Sequence, residues 1–209
     1  MKYSLLFKDY KLELLLGIYI TAILAAELMG SKIFTLFGVN ASVAIFAFPI
    51  TFTINDIVAE VYGKERAISF IRITTIMLVL LFGFSLLATS LPPAARYSDH
   101  QAYITVFSKS QRIIVASLVA FWVAERFDVF IYQKIKSRFG GKGLWFRNNL
   151  SNFISQFFDT SLFMFLAFYN PGNELFLLSL IWPYWLLKCG ASVIETPFAY
   201  WGVRWLREK

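Results

Sequence analysis

The stretch NDIVAEVYGKERA, residues 55–67, follows a long apolar run that begins at Ala41. The run and the stretch together read as one helix, so an amide and two carboxylates come at the end of a membrane-length segment. Asp56 and Glu60 are four residues apart and therefore share a helix face. Ionisable side chains at membrane depth are costly, and they usually face a polar interior or an aqueous pathway. The stretch therefore predicts a membrane helix with a functional polar face.

The composition is that of a polytopic membrane protein. Hydrophobic residues make up 58% of the chain and charged residues 16%, and both values lie far from those of soluble domains. A chain of 209 residues has room for about six spans of roughly 20 residues and little else. We therefore expect an all-α membrane protein with a single transmembrane domain over residues 1–209. The single cysteine excludes a disulfide within the chain.

Hydropathy predicts six transmembrane helices. The predicted spans are Leu12–Met29, Ala41–Val61, Ile73–Leu91, Ile113–Tyr132, Asn149–Tyr169 and Leu175–Trp201. The third span has no charged residue, whereas the second, fifth and sixth are more polar, so we expect those three to line the interior of the bundle. No small-residue cleavage site follows the first span, which we interpret as a retained helix rather than a secretion signal.

The basic residues predict the orientation in the membrane. With a cytoplasmic N-terminus, most of the 20 lysines and arginines fall on the cytoplasmic side, as the positive-inside rule requires. The four outside are Lys32, Arg96, Lys109 and Arg112. An even number of spans then predicts an inner-membrane protein with both termini in the cytoplasm. The net charge of +7 is explained as an insertion signal, so we expect no nucleic-acid partner.

The loops follow from the same spans. Pro92–Gln111 is predicted to be an outside loop that contains the only histidine, His100. Lys134–Gly143 is basic and contains two glycines, which predicts a cytoplasmic turn. Asn170–Asn173 has the composition of a short outside turn.

The intramembrane polar residues fall on three helix faces. The faces consist of Thr53, Asp56 and Glu60 in the second span, Asn152, Gln156 and Asp159 in the fifth, and Trp185, Lys188, Ser192 and Glu195 in the sixth. Asn55 lies on the face next to the first set. Each spacing keeps its residues on one side of a helix. These faces are the candidate binding surfaces of the protein.

A purely structural interpretation exists for each of these residues. Amides and hydroxyls in membrane helices often bond neighbouring helices, at about 0.6 to 2 kcal/mol apiece. Lys188 and Glu195 could neutralise each other, or a neighbour across the bundle, as readily as they could contact a ligand. For Asp56, Glu60 and Asp159 the cost of burial favours a pathway or binding role.

Enzymatic functions lack their characteristic motifs. The chain has no HExxH, GxSxG or Walker A sequence, so metalloprotease, serine hydrolase and ATPase activities have no basis. We expect no catalytic residue, no metal site and no cofactor. Phe153, Phe157, Phe158 and Trp185 flank the polar faces, where aromatic rings can stack on a planar heterocycle.

The opening stretch also resembles the signature of the queuosine-precursor transporter family, which is similar to vitamin uptake transporters. The resemblance continues in Phe48–Phe52, in Gln156 with Asp159, and in Lys188 with Thr196–Tyr200. The family is described as six-helix inner-membrane proteins that import precursors of the modified tRNA base queuosine. Its fold resembles the substrate-binding subunits of energy-coupling-factor transporters. The resemblance therefore implies uptake of a small, nucleobase-like substrate of the 7-deazaguanine type.

The resemblance also gives the polar faces a binding role. The substrate-binding candidates are Asn55, Asp56, Glu60, Gln156, Asp159, Lys188 and Glu195. A deazaguanine presents a ring N–H beside an exocyclic amine, which one carboxylate can accept together, from Asp159 or Asp56. Its carbonyl fits an amide or ammonium group, from Gln156, Asn55 or Lys188. Asp159 is the strongest single candidate, because it shares a face with Gln156 near the predicted midplane.

Two other functions remain open. The chain could be the substrate-binding subunit of an ATP-driven energy-coupling-factor vitamin transporter, since Ala22 and Ala26 offer a small-residue face for an energy-coupling module. It could also be a membrane scaffold without transport activity, in which case the buried carboxylates would be structural only. Copurification of ATPase subunits and uptake of labelled deazaguanine distinguish these alternatives.

Overall fold

A computed structural model describes residues 2–36, 38–139, 144–194 and 196–207, which are mostly helical. The described elements, in chain order, are α1 (Lys2–Met29), β1 (Ile33–Leu36), β2 (Val39–Ser42), a 3-10 turn (Val43–Phe46), α2 (Phe48–Tyr62), α3 (Lys64–Ser90), α4 (His100–Phe139), α5 (Leu144–Phe168), α6 (Glu174–Ile194) and α7 (Thr196–Arg207). The two strands form a two-stranded sheet.

Four described segments are long and apolar enough to cross a membrane. They are Tyr10–Met29, Val43–Tyr62, Lys64–Ser90 and His100–Ala124, and a shorter apolar helix follows at Phe153–Phe168. The chain is therefore a multi-pass membrane protein. The predicted sixth span, Leu175–Trp201, is helical on both sides of Glu195, which lies outside the described residues: α6 covers Glu174–Ile194 and α7 covers Thr196–Arg207.

The predicted second span, Ala41–Val61, overlaps the membrane-length segment Val43–Tyr62, but its first residues are not helical. Ala41 and Ser42 belong to strand β2, and α2 begins only at Phe48. The hydroxyl of Ser42 donates to the Gly30 carbonyl at 2.6 Å and accepts the N–H of Ala44 at 3.1 Å. These bonds satisfy the carbonyl just after α1 and an N–H in the first turn of the 3-10 segment.

The corner between α2 and α3 is a single residue. Gly63 has φ +88° and ψ 163°, a conformation that is essentially restricted to glycine. The signature stretch therefore consists of the end of α2, this glycine and the first turn of α3. The expected cytoplasmic connection is correspondingly short, because the charged residues after Gly63 already belong to α3.

Helix α4 is longer than predicted at its beginning. It starts at His100 rather than Ile113, so the second half of the predicted loop Pro92–Gln111 is helical. With 40 residues, α4 extends about 60 Å, twice the thickness of the hydrocarbon core. Most of the predicted turn Lys134–Gly143 is also helical, because α4 continues to Phe139, and residues 140–143 lie outside the described ones.

The predicted turn between α5 and α6 is confirmed. Gly172 has φ +91°, and the N–H of Asn173 donates to the Asn170 carbonyl at 3.1 Å. The carboxylate of Glu174 accepts the N–H of Gly172 at 3.2 Å. Its bonds to the backbone N–H groups of Glu174 and Gly172 lower the pKa of this carboxyl. A carboxylate in the first turn of a helix also complements the helix dipole.

The chain divides into two compact units. The first comprises residues 1–34, 42–111 and 190–209, and the second residues 35–41 and 112–189. The core of the first unit is formed by Leu12, Leu15 and Tyr19 of α1, Ile54, Ile57 and Val58 of α2, Ala67 and Phe70 of α3, and Leu206 of α7. A smaller apolar cluster in the second unit contains Ile113, Ala116 and Ala167. The single domain expected from the sequence stays a prediction.

Candidate functional site

The second unit contains an ion pair between two of the predicted site residues. The ammonium nitrogen of Lys188, on α6, donates to Oδ2 of Asp159, on α5, at 2.8 Å. The Lys188 side chain is 14% exposed and that of Asp159 31%. Such a pair offsets the cost of placing each charge away from water. This pair is one of the two structural alternatives for Lys188, and the other, a pair with Glu195, lies outside the described residues.

Gln156 lies one helical turn before Asp159. Its carboxamide oxygen accepts the thiol of Cys189 at 3.4 Å, and no other bond is made by this carboxamide within the described residues. The amide N–H donors of Gln156 thus remain available to a ligand. The unit therefore combines a carboxylate, an ammonium group and an amide donor on facing stretches of α5 and α6.

Two hydroxyls next to Asp159 are buried. Among the described residues, no hydrogen-bond partner exists for Thr160 Oγ1 or Ser161 Oγ. Buried hydroxyls are bonded in most proteins. Orphaned hydroxyls beside an ion pair are therefore a further sign of a polar binding region.

The aromatic residues beside the polar faces pack chiefly on one another. Trp185 makes edge-on contacts with Phe153 and Phe157, with ring centroids 6.2 and 5.6 Å apart. Its indole N–H donates to the Phe153 carbonyl at 3.2 Å. Phe158 stacks on Phe127 at 3.9 Å. Phe153 and Phe157 nevertheless remain 46% and 38% exposed, so these two keep surface that a planar ligand can contact.

The three candidates on α2 belong to the first unit and differ in environment. Asn55 Oδ1 is buried without a hydrogen-bond partner among the described residues. Asp56 is exposed. Glu60 accepts a hydrogen bond from Arg207 of α7 at 3.3 Å, and the two side chains are 66% and 60% exposed. Asn55 is thus the buried member of this set, whereas Glu60 connects the signature stretch to α7.

Part of the predicted site lies outside what the structure describes. Glu195 is not among the described residues, and the side chains of Asn152 and Ser192 are likewise not described. Among the described residues, no group of three histidine, cysteine or acidic side chains has the arrangement of a metal site.

Two basic residues have roles that the sequence analysis did not identify. Arg112 donates to the carbonyls of Leu166 and Tyr169 at the end of α5 and to the side chain of Asn170. Lys11 is 5% exposed and donates to the Trp205 carbonyl. Sequence spacing carries no signal for either contact, because both join helices that are far apart in the chain.

The small-residue face proposed for a coupling partner is already covered. Ala22 is 8% exposed and Ala26 6%, and the backbone of Ala26 lies close to Gly30. Both side chains are therefore buried in the described structure and do not present a free surface to another protein.

Comparison with known proteins identifies the family. Residues 42–202 match a family described as "Putative vitamin uptake transporter". The chain belongs to this family. It is also 30% identical, over 189 residues, to a Bacillus subtilis (strain 168) protein named "Probable queuosine precursor transporter", with 86% of this chain and 79% of that protein covered. No solved structure matches the chain. The protein is therefore a non-enzymatic membrane transporter.

Proposed function

We propose that this transporter imports queuosine precursors, bases of the 7-deazaguanine type, across the inner membrane for tRNA modification. The observation that carries the proposal is the Asp159–Lys188 pair with Gln156 beside it in one unit. The name of the Bacillus subtilis relative supports the same substrate class. The alternative, a binding subunit of an ATP-driven transporter, was based on an accessible small-residue face at Ala22 and Ala26. Because both residues are buried, that argument no longer supports it.

The chemistry of the pair suits such a base. The ring N–H and exocyclic amine of a deazaguanine donate side by side, and the Asp159 carboxylate can accept both. Hydrogen bonds to a charged group contribute about 1.5 to 3 kcal/mol each. The base carbonyl then accepts from Lys188 or from the amide of Gln156. In this proposal the substrate takes the place of the lysine on the carboxylate, and Lys188 turns to the carbonyl.

The remaining candidates keep a proposed binding role. Asn55 is favoured among them by its buried oxygen, which has no bond among the described residues. A carboxamide oxygen accepts hydrogen bonds, so Asn55 suits an N–H donor of the base. Asp56, Glu60 and Glu195 are retained as proposed contacts, each to be tested by its own amide variant.

Uptake by Asp159 variants tests the proposal. We expect Asp159→Asn to reduce uptake of labelled deazaguanine at least tenfold, because about 1.4 kcal/mol of lost binding already gives that factor. The new amide would oppose a substrate donor, whereas Asp159→Glu keeps the charge and should retain more activity. Uptake is measured in cells that express each variant and is divided by the amount of protein in the membrane.

The control for this experiment is Asp99→Asn, the same change at an exposed residue between α3 and α4. It should leave uptake per molecule unchanged. An unimpaired Asp159→Asn variant would remove Asp159 from the binding site. Absence of deazaguanine uptake by the unmodified protein would reject the proposed substrate.

A further inference from the structure

Cys189 of α6 follows Lys188 in the chain and joins the same two helices. Its partly buried thiol donates to Oε1 of Gln156, on α5, at 3.4 Å, while Lys188 donates to Asp159 at 2.8 Å. Two consecutive residues of α6 thus bond two residues of α5 that lie one helical turn apart. Cys189 therefore belongs to the same contact between α5 and α6 as the proposed substrate residues.

The thiol determines which end of the Gln156 carboxamide is left for a ligand. A carboxamide has an accepting oxygen and a donating NH2 group, which point in different directions from the same carbon. Because the oxygen faces the thiol of Cys189, the NH2 group points away from it. A sulfur atom is only a weak acceptor, so the reverse orientation, with the NH2 group toward Cys189, is disfavoured.

The polar groups then form one pattern of acceptors and donors. The carboxylate of Asp159 accepts, whereas the ammonium of Lys188 and the NH2 group of Gln156 donate. A base that carries a carbonyl beside its N–H groups matches this pattern. An amine in place of the carbonyl would set donor against donor, and a site built to bond one polar group rejects a ligand that leaves it unpaired.

A buried hydroxyl beside Asp159 also indicates a polar ligand. Thr160 is 1% exposed, and its Oγ1 has no hydrogen-bond partner in the part of the chain that the structure describes. Buried hydroxyls are bonded in most proteins. An unsatisfied hydroxyl next to the ion pair is expected where a polar ligand completes the hydrogen bonds.

We propose that Cys189 is a positioning residue whose thiol orients the Gln156 carboxamide, so that the transporter selects bases with a carbonyl over bases with an amine at that position. The inference rests on the proposed function, since it takes Asp159 and Gln156 as substrate contacts. Cys189 itself does not touch the base. Without the thiol, the carboxamide can turn and offer its oxygen to an amine, and the selectivity falls.

The affinities of two bases measure this selectivity. The purified protein in detergent is titrated with 7-deazaguanine and with its diamino analogue, which carries an amine instead of the carbonyl. The selectivity is the dissociation constant of the analogue divided by that of 7-deazaguanine. The analogue also lacks the ring N–H, which weakens its bond to Asp159 in every variant alike, so a change in selectivity between variants reports on the carboxamide.

Cys189→Ala should lower the selectivity about threefold, the effect of one neutral hydrogen bond. Cys189→Ser keeps a donor and should retain more of the wild-type selectivity. The matched control is Ser179→Ala, which removes a small hydrogen-bonding side chain elsewhere on α6 and should leave the selectivity unchanged. A cysteine that only fills space would affect the amount of folded protein and the melting temperature, but not this ratio.

Two outcomes overturn the inference in different ways. Equal selectivity of the wild type and a folded Cys189→Ala variant would refute the role of Cys189 and leave the proposed substrate class intact. Failure of the wild type to bind 7-deazaguanine would reject the proposed function, and the inference would fall with it. Cys189→Val removes the donor but fills more of the space, and it provides the same test if Cys189→Ala does not fold.

Discussion

At the scale of single residues, Asp159 has two partners to satisfy. In the structure its carboxylate accepts a hydrogen bond from the ammonium of Lys188, and in the proposed function it accepts hydrogen bonds from the substrate instead. Breaking such a pair by removing one member leaves an uncompensated charge. A loss of uptake in single variants therefore has to be separated from a loss of folded protein.

A charge exchange separates these two effects. We expect the double variant Asp159→Lys with Lys188→Asp to accumulate near the wild-type level, because an ion pair can form again. Uptake per molecule should fall at least about tenfold, because the carboxylate then stands on α6 instead of α5. Asp159→Lys alone places two ammonium groups together and should lower the amount of protein. Membrane levels and labelled uptake are the measurements, and full uptake by the exchanged variant would make the pair structural only.

The sequence predicted the polar faces but not their partners. Helical spacing placed Gln156 and Asp159 on one side of α5, and it left Lys188 to pair with Glu195 or with another helix. The choice depends on how α5 and α6 pack, which no local pattern specifies. For the same reason Lys11 was interpreted only as a cytoplasmic charge, although it contacts Trp205 almost two hundred residues later.

At the scale of elements, the signature stretch is a corner between two helices. Its apolar and polar spacing predicted the helix of α2 correctly, but the sequence before it was assigned to the same helix, although the chain forms β2 and a 3-10 turn there. A short apolar segment is compatible with either a strand or a helix. The predicted third span left the charged residues after Gly63 in a loop between two helices, because hydropathy detects only the part of a helix that lies in the hydrocarbon. Helix α3 begins before that part, at Lys64.

Gly63 should tolerate no side chain at this corner. We expect Gly63→Ala to destabilise the protein by about 1 to 3 kcal/mol, because its backbone angles are sparsely populated by other residues. The measurement is the midpoint of thermal unfolding in detergent. Gly83→Ala is the matched control, since Gly83 lies within α3 and a Cβ added there would meet no neighbouring atom within 4 Å, so alanine should be neutral or stabilising. Equal midpoints for wild type and Gly63→Ala would refute the strained corner.

At the scale of the whole molecule, the length of α4 changes how the basic residues are distributed. Lys109 and Arg112 lie within α4 instead of an outside loop, and Arg112 bonds the end of α5. The membrane-compatible part of α4 ends at Ala124, so the 15 residues from 125 to 139 continue for about 22 Å beyond it. This extension contains Lys134, which keeps positive charge at the end predicted to be cytoplasmic.

The orientation itself is a prediction that reporter fusions can check. We expect both termini to be cytoplasmic, because most lysines and arginines then lie inside, as the positive-inside rule requires. Alkaline phosphatase fused after Leu91, at the end of α3, should be active, and the same enzyme fused after Lys209 should be inactive. Green fluorescent protein at the two positions should give the reverse result, which controls for fusions that fail to accumulate. An active phosphatase at the C-terminus would place that end outside and overturn the orientation predicted from the basic residues.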